Sequence, residues 1–229
     1  MSEVQREVTA TAEEWRAALI ACLARTEPGH EPGTWLVPGL TLEESKTLED
    51  AFPRAPRPAA VLIPIVNYPD TLTILLTTRA TQLRNHAGQV SFPGGSLDEG
   101  ETPLHGALRE AREEIGLRPD FVSLVGYLPD HILLTGFRVT PVVAFVQPGF
   151  EIQAEPSEVH DVFEVPLARL LTVSNYATTI RRVGRDRIRS LEREVEIETH
   201  SVMFEGREIW GATAGILLNL ARRCAAGMQ

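Results

Sequence analysis

Five charged residues crowd one short stretch of the chain: Arg109, Glu110, Arg112, Glu113 and Glu114 in "REAREEIGL". Glu110, Glu113 and Glu114 stand at i, i+3 and i+4, which puts three carboxylates on one sector of a helix. Like charges so placed repel by roughly 0.2–0.5 kcal/mol per pair, and the C-terminal half of a helix disfavours anions. A divalent cation would reverse the balance. Mg2+ and Mn2+ take carboxylate oxygens and keep open positions for waters and substrate phosphates. A solvated acidic face is the alternative, and periodicity alone does not choose between the two. Gly94 and Gly95 lie just upstream, in a turn that lets backbone come close to a ligand or ion.

The helix that must carry these groups is well punctuated. Thr102 is a suitable N-cap, Pro103 suits the first helical position, and Gly116 followed by Leu117 suits the end, so the spacing predicts a helix over 103–115. Leu104, Leu108, Ala111 and Ile115 form an apolar stripe, with the glutamates about 125° round from it. One side is expected to pack and the other to present carboxylates, and Arg109 can pair with Glu113 one turn on.

Around this helix, "AAVLIPIVN" and "LTILLTTR" flank "YPD" and read as a β-hairpin. Further strands are expected over 86–92, 122–128, 137–146, 161–165 and 193–204, a short turn over 166–171 and a helix over 212–225. That order fits a mixed sheet flanked by helices, an α/β/α layered domain. Upstream, Thr11 and Glu14 form a capping box for an amphipathic helix over 12–25, and Thr41 with Glu44 suggests a second short helix near 42–50. "PRAPRP" marks a boundary, so residues 1–57 read as an N-terminal helical and loop appendage, docked or forming a lid, and 58–229 as the main domain.

Composition narrows the chemistry. The 229 residues carry a formal net charge of −9, which disfavours nucleic acid and anionic membranes as partners. An anionic substrate would need local arginines or bound cations. Lys46 is the only lysine, so a lysine nucleophile elsewhere is excluded. Cys22 and Cys224 are too few for a disulfide framework or a four-cysteine zinc site, and free thiols in a reducing compartment are expected. With neither a basic-then-apolar leader nor an apolar run near the roughly 20 residues of a membrane helix, a cytoplasmic protein is expected.

The glutamate helix and its flanks carry a more demanding pattern. Gly95, Glu101, Arg109, Glu110, Glu113, Glu114 and Gly116 fit G-x5-E-x7-R-E-U-x-E-E-x-G-U, with Ala111 and Leu117 at the small or aliphatic U positions. This is the Nudix box, and the chain resembles the Nudix hydrolase superfamily. The resemblance implies a Nudix-type α/β/α sandwich and Mg2+- or Mn2+-dependent hydrolysis of a nucleoside diphosphate linked to another moiety. It also implies Glu110, Glu113 and Glu114 as metal ligands, with the Gly95 carbonyl as a further one. Glu101 and Arg109 would hold the loop and orient the carboxylates. One of the three glutamates, or one from a distant loop, would be the base; Glu155, Glu158 and Glu205 are the remote candidates.

A second signature lies at 75–95, "LLTTRATQLRNHAGQVSFPGG", with Arg79, Arg84, Gly88 and Phe92 at set positions. It resembles the coenzyme A pyrophosphatase branch, whose implied activity yields 3′,5′-ADP and 4′-phosphopantetheine. Arg79 and Arg84 are candidate phosphate contacts because guanidinium forks match phosphate oxygens. His86 and the Gly94 backbone are further candidate substrate contacts, whereas Phe92 and Trp210 read first as packing residues. The expected partner is a small molecule, CoA or a related diphosphate, and a homodimer is a candidate assembly. Broader cleavage of ADP-ribose or NADH, and a non-catalytic nucleotide sensor, are the rival readings. The run Arg181, Arg182, Arg185, Arg187, Arg189 and Arg193 reads as solvated loop or strand edge, or as a basic lip for a phosphorylated ligand.

Overall fold

A computed structural model describes residues 10–29, 55–82, 87–184 and 194–227. The expected hairpin forms from β1 (Arg57–Asn67) and β2 (Leu72–Arg79), paired antiparallel with Ile65 opposite Ile74. Both strands are apolar on successive residues because both faces of this sheet are covered. On its other side β1 runs parallel to β7 (Phe137–Val146), in register from Arg57 opposite Phe137 to Val66 opposite Val146.

Shorter strands complete the sheet: β3 (Val90–Ser91), β4 (Gly94–Ser96), β5 (Val122–Tyr127), β6 (His131–Leu133) and β8 (Val159–Pro166). The order is β3-β2-β1-β7-β5, with β4 on β1, β6 on β7 and β8 on β2. A separate antiparallel sheet holds β9 (Ala177–Val183), β10 (Val195–Phe204) and β11 (Arg207–Trp210).

Helices cover both faces of the larger sheet, giving the expected α/β/α layering. On one face α2 (Pro103–Ile115) buries Ala107, Ala111 and Ile115 against Ala60, Leu62, Leu75 and Val142. The opposite face carries α1 (Ala12–Leu23), α3 (Leu167–Leu171) and α4 (Gly211–Gly227). There Leu19, Leu23, Leu170, Leu217 and Leu220 meet Ile63, Ile65 and Ile74.

The α1 helix starts at the Thr11–Glu14 capping box, as expected, and is docked rather than held away as a lid. Arg16 ties it to the β1–β2 turn, donating to the Asn67 side chain and to the Tyr68 and Pro69 carbonyls. Its C-terminal end passes so close to Gly126 that a Cβ there would lie 2.3 Å from the Leu23 carbonyl oxygen. The second expected N-terminal helix, near 42–50, lies outside the described residues.

Three expectations are corrected. The strand expected over 86–92 shrinks to Val90–Ser91, because Ala87 and Gly88 form a turn, with Gly88 at φ 71°. The strands β4, β6, β9 and β11 were not expected. β4 is short and glycine-bearing, and β9 is exposed at nearly every position, so neither shows apolar alternation. The packed face of α2 is also rotated from the expected stripe. Gly106, Ala107, Ala111, Glu114 and Ile115 are its buried residues, while Leu104 and Leu108 are only partly covered. Among the described residues no helix is long and apolar enough to cross a membrane.

Candidate active site

The site grows from a fork in the larger sheet. The first half of β1 pairs with β4, placing Val61 opposite Gly94 and Ala60 opposite Gly95, while its second half pairs with β2. The turn at Pro93–Gly95 is thereby drawn between β1 and α2. Glycine is required there for close approach. A Cβ on Gly94 would sit 2.4 Å from the Ala60 carbonyl oxygen, and one on Gly95 would sit 2.5 Å from a carboxylate oxygen of Glu110.

Facing this turn, the α2 carboxylates occupy three environments. Glu114 is only 3% exposed and accepts one hydrogen bond from the Gly94 amide, at 3.3 Å. Burial pushes its pKa up to about 8, against the opposing effects of that hydrogen bond and of Arg79, and with the nearby charges of Glu110 and Glu158 adding to the rise. Glu110 is half-buried, and burial raises it too, opposed by its bond to Arg109. Glu113 projects outward, with 60% of its side chain exposed. The three glutamates share one helix flank, but they do not share one solvent exposure.

Arg109 organises the flank. Its Nε and Nη2 grip both oxygens of Glu101 at 3.0 Å each, and Nη2 also donates to the Ser96 carbonyl at 3.0 Å. Its Nη1 reaches Glu110 at 2.9 Å and Glu113 at 3.2 Å. Glu101 also accepts from the Asp98 amide and is held below its usual range, chiefly by the Arg109 guanidinium. One cation thus connects the loop, its acidic anchor, the half-buried Glu110 and the exposed Glu113, a planar fork in bidentate use. Ser96 contributes only its backbone carbonyl, which leaves no side-chain signature in the sequence, and Asp98 adds an exposed carboxylate 3.9 Å from the Arg109 Nε.

Arg79 ends β2 at a register shift against β8, where Thr78 pairs with Asp161 and Arg79 with Val159. Its charge reaches Glu114. Its buried Nε has no hydrogen-bond partner among the described residues. Glu158, whose carbonyl accepts from the Ala80 amide, is close enough for its charge to act on both Glu110 and Glu114. The other remote candidates are elsewhere engaged: Glu155 is exposed and accepts from Ser157, and Glu205 lies in the β10–β11 turn beside Arg207. Arg84 and His86 lie outside the described residues.

Phe92 is 4% exposed and belongs to the core, as expected. Trp210 ends β11 with the Arg181 guanidinium 5.6 Å from its ring centroid. Arg181 and Arg182 sit on the exposed edge strand β9, and Arg185, Arg187, Arg189 and Arg193 lie outside the described residues.

Among the described residues no three acidic, histidine or cysteine side chains already stand gathered as an ion would hold them. The donor set still suits a hard cation. Its groups are carboxylates; the buried one repels its neighbours, and the exposed Glu113 can swing without repacking the core.

A model of the NUDIX domain matches residues 56–185. The Nudix hydrolase NudL of Klebsiella pneumoniae strain 342 is 42% identical over 172 residues, covering 74% of this chain and 84% of the relative. NudL of Escherichia coli K12 DH10B is likewise 42% identical, over 170 residues, covering 72% and 81%. Among solved structures, a MutT/nudix family protein from Enterococcus faecalis is similar at a TM-score of 0.46 and 15% identity, over 82% of this chain and 70% of that one.

Proposed function

This chain belongs to the Nudix hydrolase family, and on that premise we propose that it hydrolyses the diphosphate of coenzyme A or acyl-CoA, releasing 3′,5′-ADP and 4′-phosphopantetheine. Glu110, Glu113 and Glu114 would hold the divalent cation, Mg2+ or Mn2+, with the Gly95 carbonyl as a further ligand. When bound, such a cation neutralises diphosphate charge and lowers the pKa of a bound water.

The chain's own groups do the rest. Arg109, anchored on Glu101, orients Glu110 and Glu113. Glu158, whose charge acts on both Glu110 and Glu114, takes the proton of the attacking water as general base. The Gly94–Gly95 turn brings backbone rather than side chain to the ligand.

The observation that carries the substrate reading is Arg79. A half-buried arginine whose buried Nε lacks an acceptor among the described residues, beside a carboxylate cluster, is an unmet demand for an anion. A phosphate oxygen of a cation-bound diphosphate would meet it. The 75–95 signature, which includes Arg79, resembles the CoA pyrophosphatase branch and supports CoA among diphosphates.

The test is direct. The protein is incubated with Mg2+ or Mn2+ and, separately, CoA, ADP-ribose and NADH, and the products are resolved. Fastest formation of 3′,5′-ADP from CoA supports the proposal. Comparable or faster turnover of ADP-ribose overturns the CoA assignment, and binding without turnover of any substrate makes the protein a sensor.

A further inference from the structure

The two cysteines stand 202 positions apart in sequence, yet their sulfurs lie 3.6 Å apart. Cys22 is in the last turn of α1 and Cys224 is near the C-terminal end of α4. The packing that brings them together is specific. Leu19 and Leu23 of α1 and Leu217, Leu220 and Ala221 of α4 share one core with Cys224, and Cys22 packs at its edge. Neither thiol belongs to the carboxylate site on the other face of the sheet.

The pair is asymmetric. Cys22 is partly exposed and Cys224 fully buried. The hydrogen bond with Cys224, with Arg223 nearby, lowers the Cys22 pKa despite partial burial, whereas the same bond and burial raise Cys224. An accessible sulfur with thiolate character backed by a buried thiol at contact distance is the arrangement of an attacking and a resolving cysteine.

We propose that Cys22 and Cys224 form a reversible, redox-sensitive disulfide that clamps the N-terminal helix to the C-terminal helix, with a low-molecular-weight disulfide of the glutathione type as oxidant. The Cys22 thiolate attacks one sulfur of the oxidant, breaking its S–S bond and expelling one thiolate. Cys224 then gives its proton to solvent, and its sulfur attacks the Cys22 sulfur of the mixed disulfide, expelling the second thiolate. Two protein thiols are thereby oxidised by two electrons, and the oxidant is reduced to two thiols. Bond formation brings the sulfurs from 3.6 Å to about 2.05 Å.

The clamp closes a loop spanning most of the chain, so its effect is to stabilise the docked N-terminal segment. Because it lies away from the carboxylates, its readouts do not depend on the substrate proposal. The full-length protein is treated with glutathione disulfide, then examined by mass spectrometry and thermal unfolding. The expected product is a monomer lighter by two hydrogens, with a tryptic cross-link between residues 17–25 and 224–229. Its Tm should rise by several degrees and return to the starting value after dithiothreitol.

Variants separate the roles. Cys224→Ser should stop at a mixed disulfide on Cys22, one glutathione heavier, with no gain in Tm. Cys22→Ser should leave the buried Cys224 unmodified. Two thiols that stay free under oxidant, cross-links only between molecules, or a Cys22→Ser protein glutathionylated as fast as the parent would each overturn the proposal.

Discussion

The Glu114 carboxylate and the Gly94 amide, 20 positions apart, meet at 3.3 Å in the fork of the larger sheet. That contact joins the helix bearing the carboxylates to the glycine turn, and it lies at a buried acid whose pKa burial pushes up to about 8. The helix therefore stores an unfavourable ionisation at its buried face, which cation binding would relieve.

Glu114 should make metal-free stability depend on pH. Its folded pKa of about 8 lies above the ordinary 4.5, so between these values the folded state binds more protons than the unfolded chain. Stability then falls as pH rises through that window. Thermal unfolding from about pH 5 to about pH 8 should show a decline in Tm that Glu114→Gln largely removes, while stabilisation by added Mg2+ or Mn2+ grows with pH. The same variant should cut turnover by roughly 100-fold or more if the carboxylate is a metal ligand. An E114Q protein with near-normal turnover would falsify the metal-site assignment.

Arg109→Ala frees Glu101, Glu110 and Glu113 together and leaves the Ser96 carbonyl without its donor. Metal titrations monitored by activity should show affinity or kcat reduced roughly 10- to 100-fold. Arg109→Lys should recover little, because an ammonium cannot span both oxygens of Glu101 while also reaching Ser96 and Glu110.

Arg79→Ala should mainly raise KM for CoA, as loss of a phosphate contact shared by ground and transition states does. It also removes a charge that lowers the Glu114 pKa, so the pH at which added metal begins to stabilise the protein should move upward. A KM unchanged beside a large fall in kcat would instead place Arg79 in the chemical step.

Gly126→Ala tests the docking of α1. The added Cβ would meet the Leu23 carbonyl oxygen at 2.3 Å and the Thr26 hydroxyl at 2.6 Å. The helix must move or the strand must bend, at about 1–3 kcal/mol. Denaturant unfolding should show that loss, with turnover little changed because the site lies on the opposite face of the sheet.

Much of this was legible in the sequence wherever the signal is local. The caps Thr102 and Gly116 bounded α2 to the residue, because capping depends on near neighbours and on one left-handed position, φ 71° at Gly116. The apolar runs of β1, β2 and β7 announced themselves because strands covered on both faces need no alternation. Strand β9 escaped notice because an exposed strand has no apolar side to reveal. Glu158 could not be told from Glu155 or Glu205, since only folding brings one of the three beside Glu110 and Glu114.

The sequence by itself determined the α2 helix, the glycine turn before it, the spacing of its carboxylates and the family to which they point, because each depends on residues within a few turns of one another. Only the tertiary structure decided that Glu114 is buried while Glu113 is exposed, that the charge of Arg79 acts on Glu114, and that Cys22 meets Cys224. Those outcomes depend on which face of α2 the forked sheet covers and on how α1 and α4 pack across the other side. Burial and long-range contact are properties of the packed layers, and no local pattern encodes them.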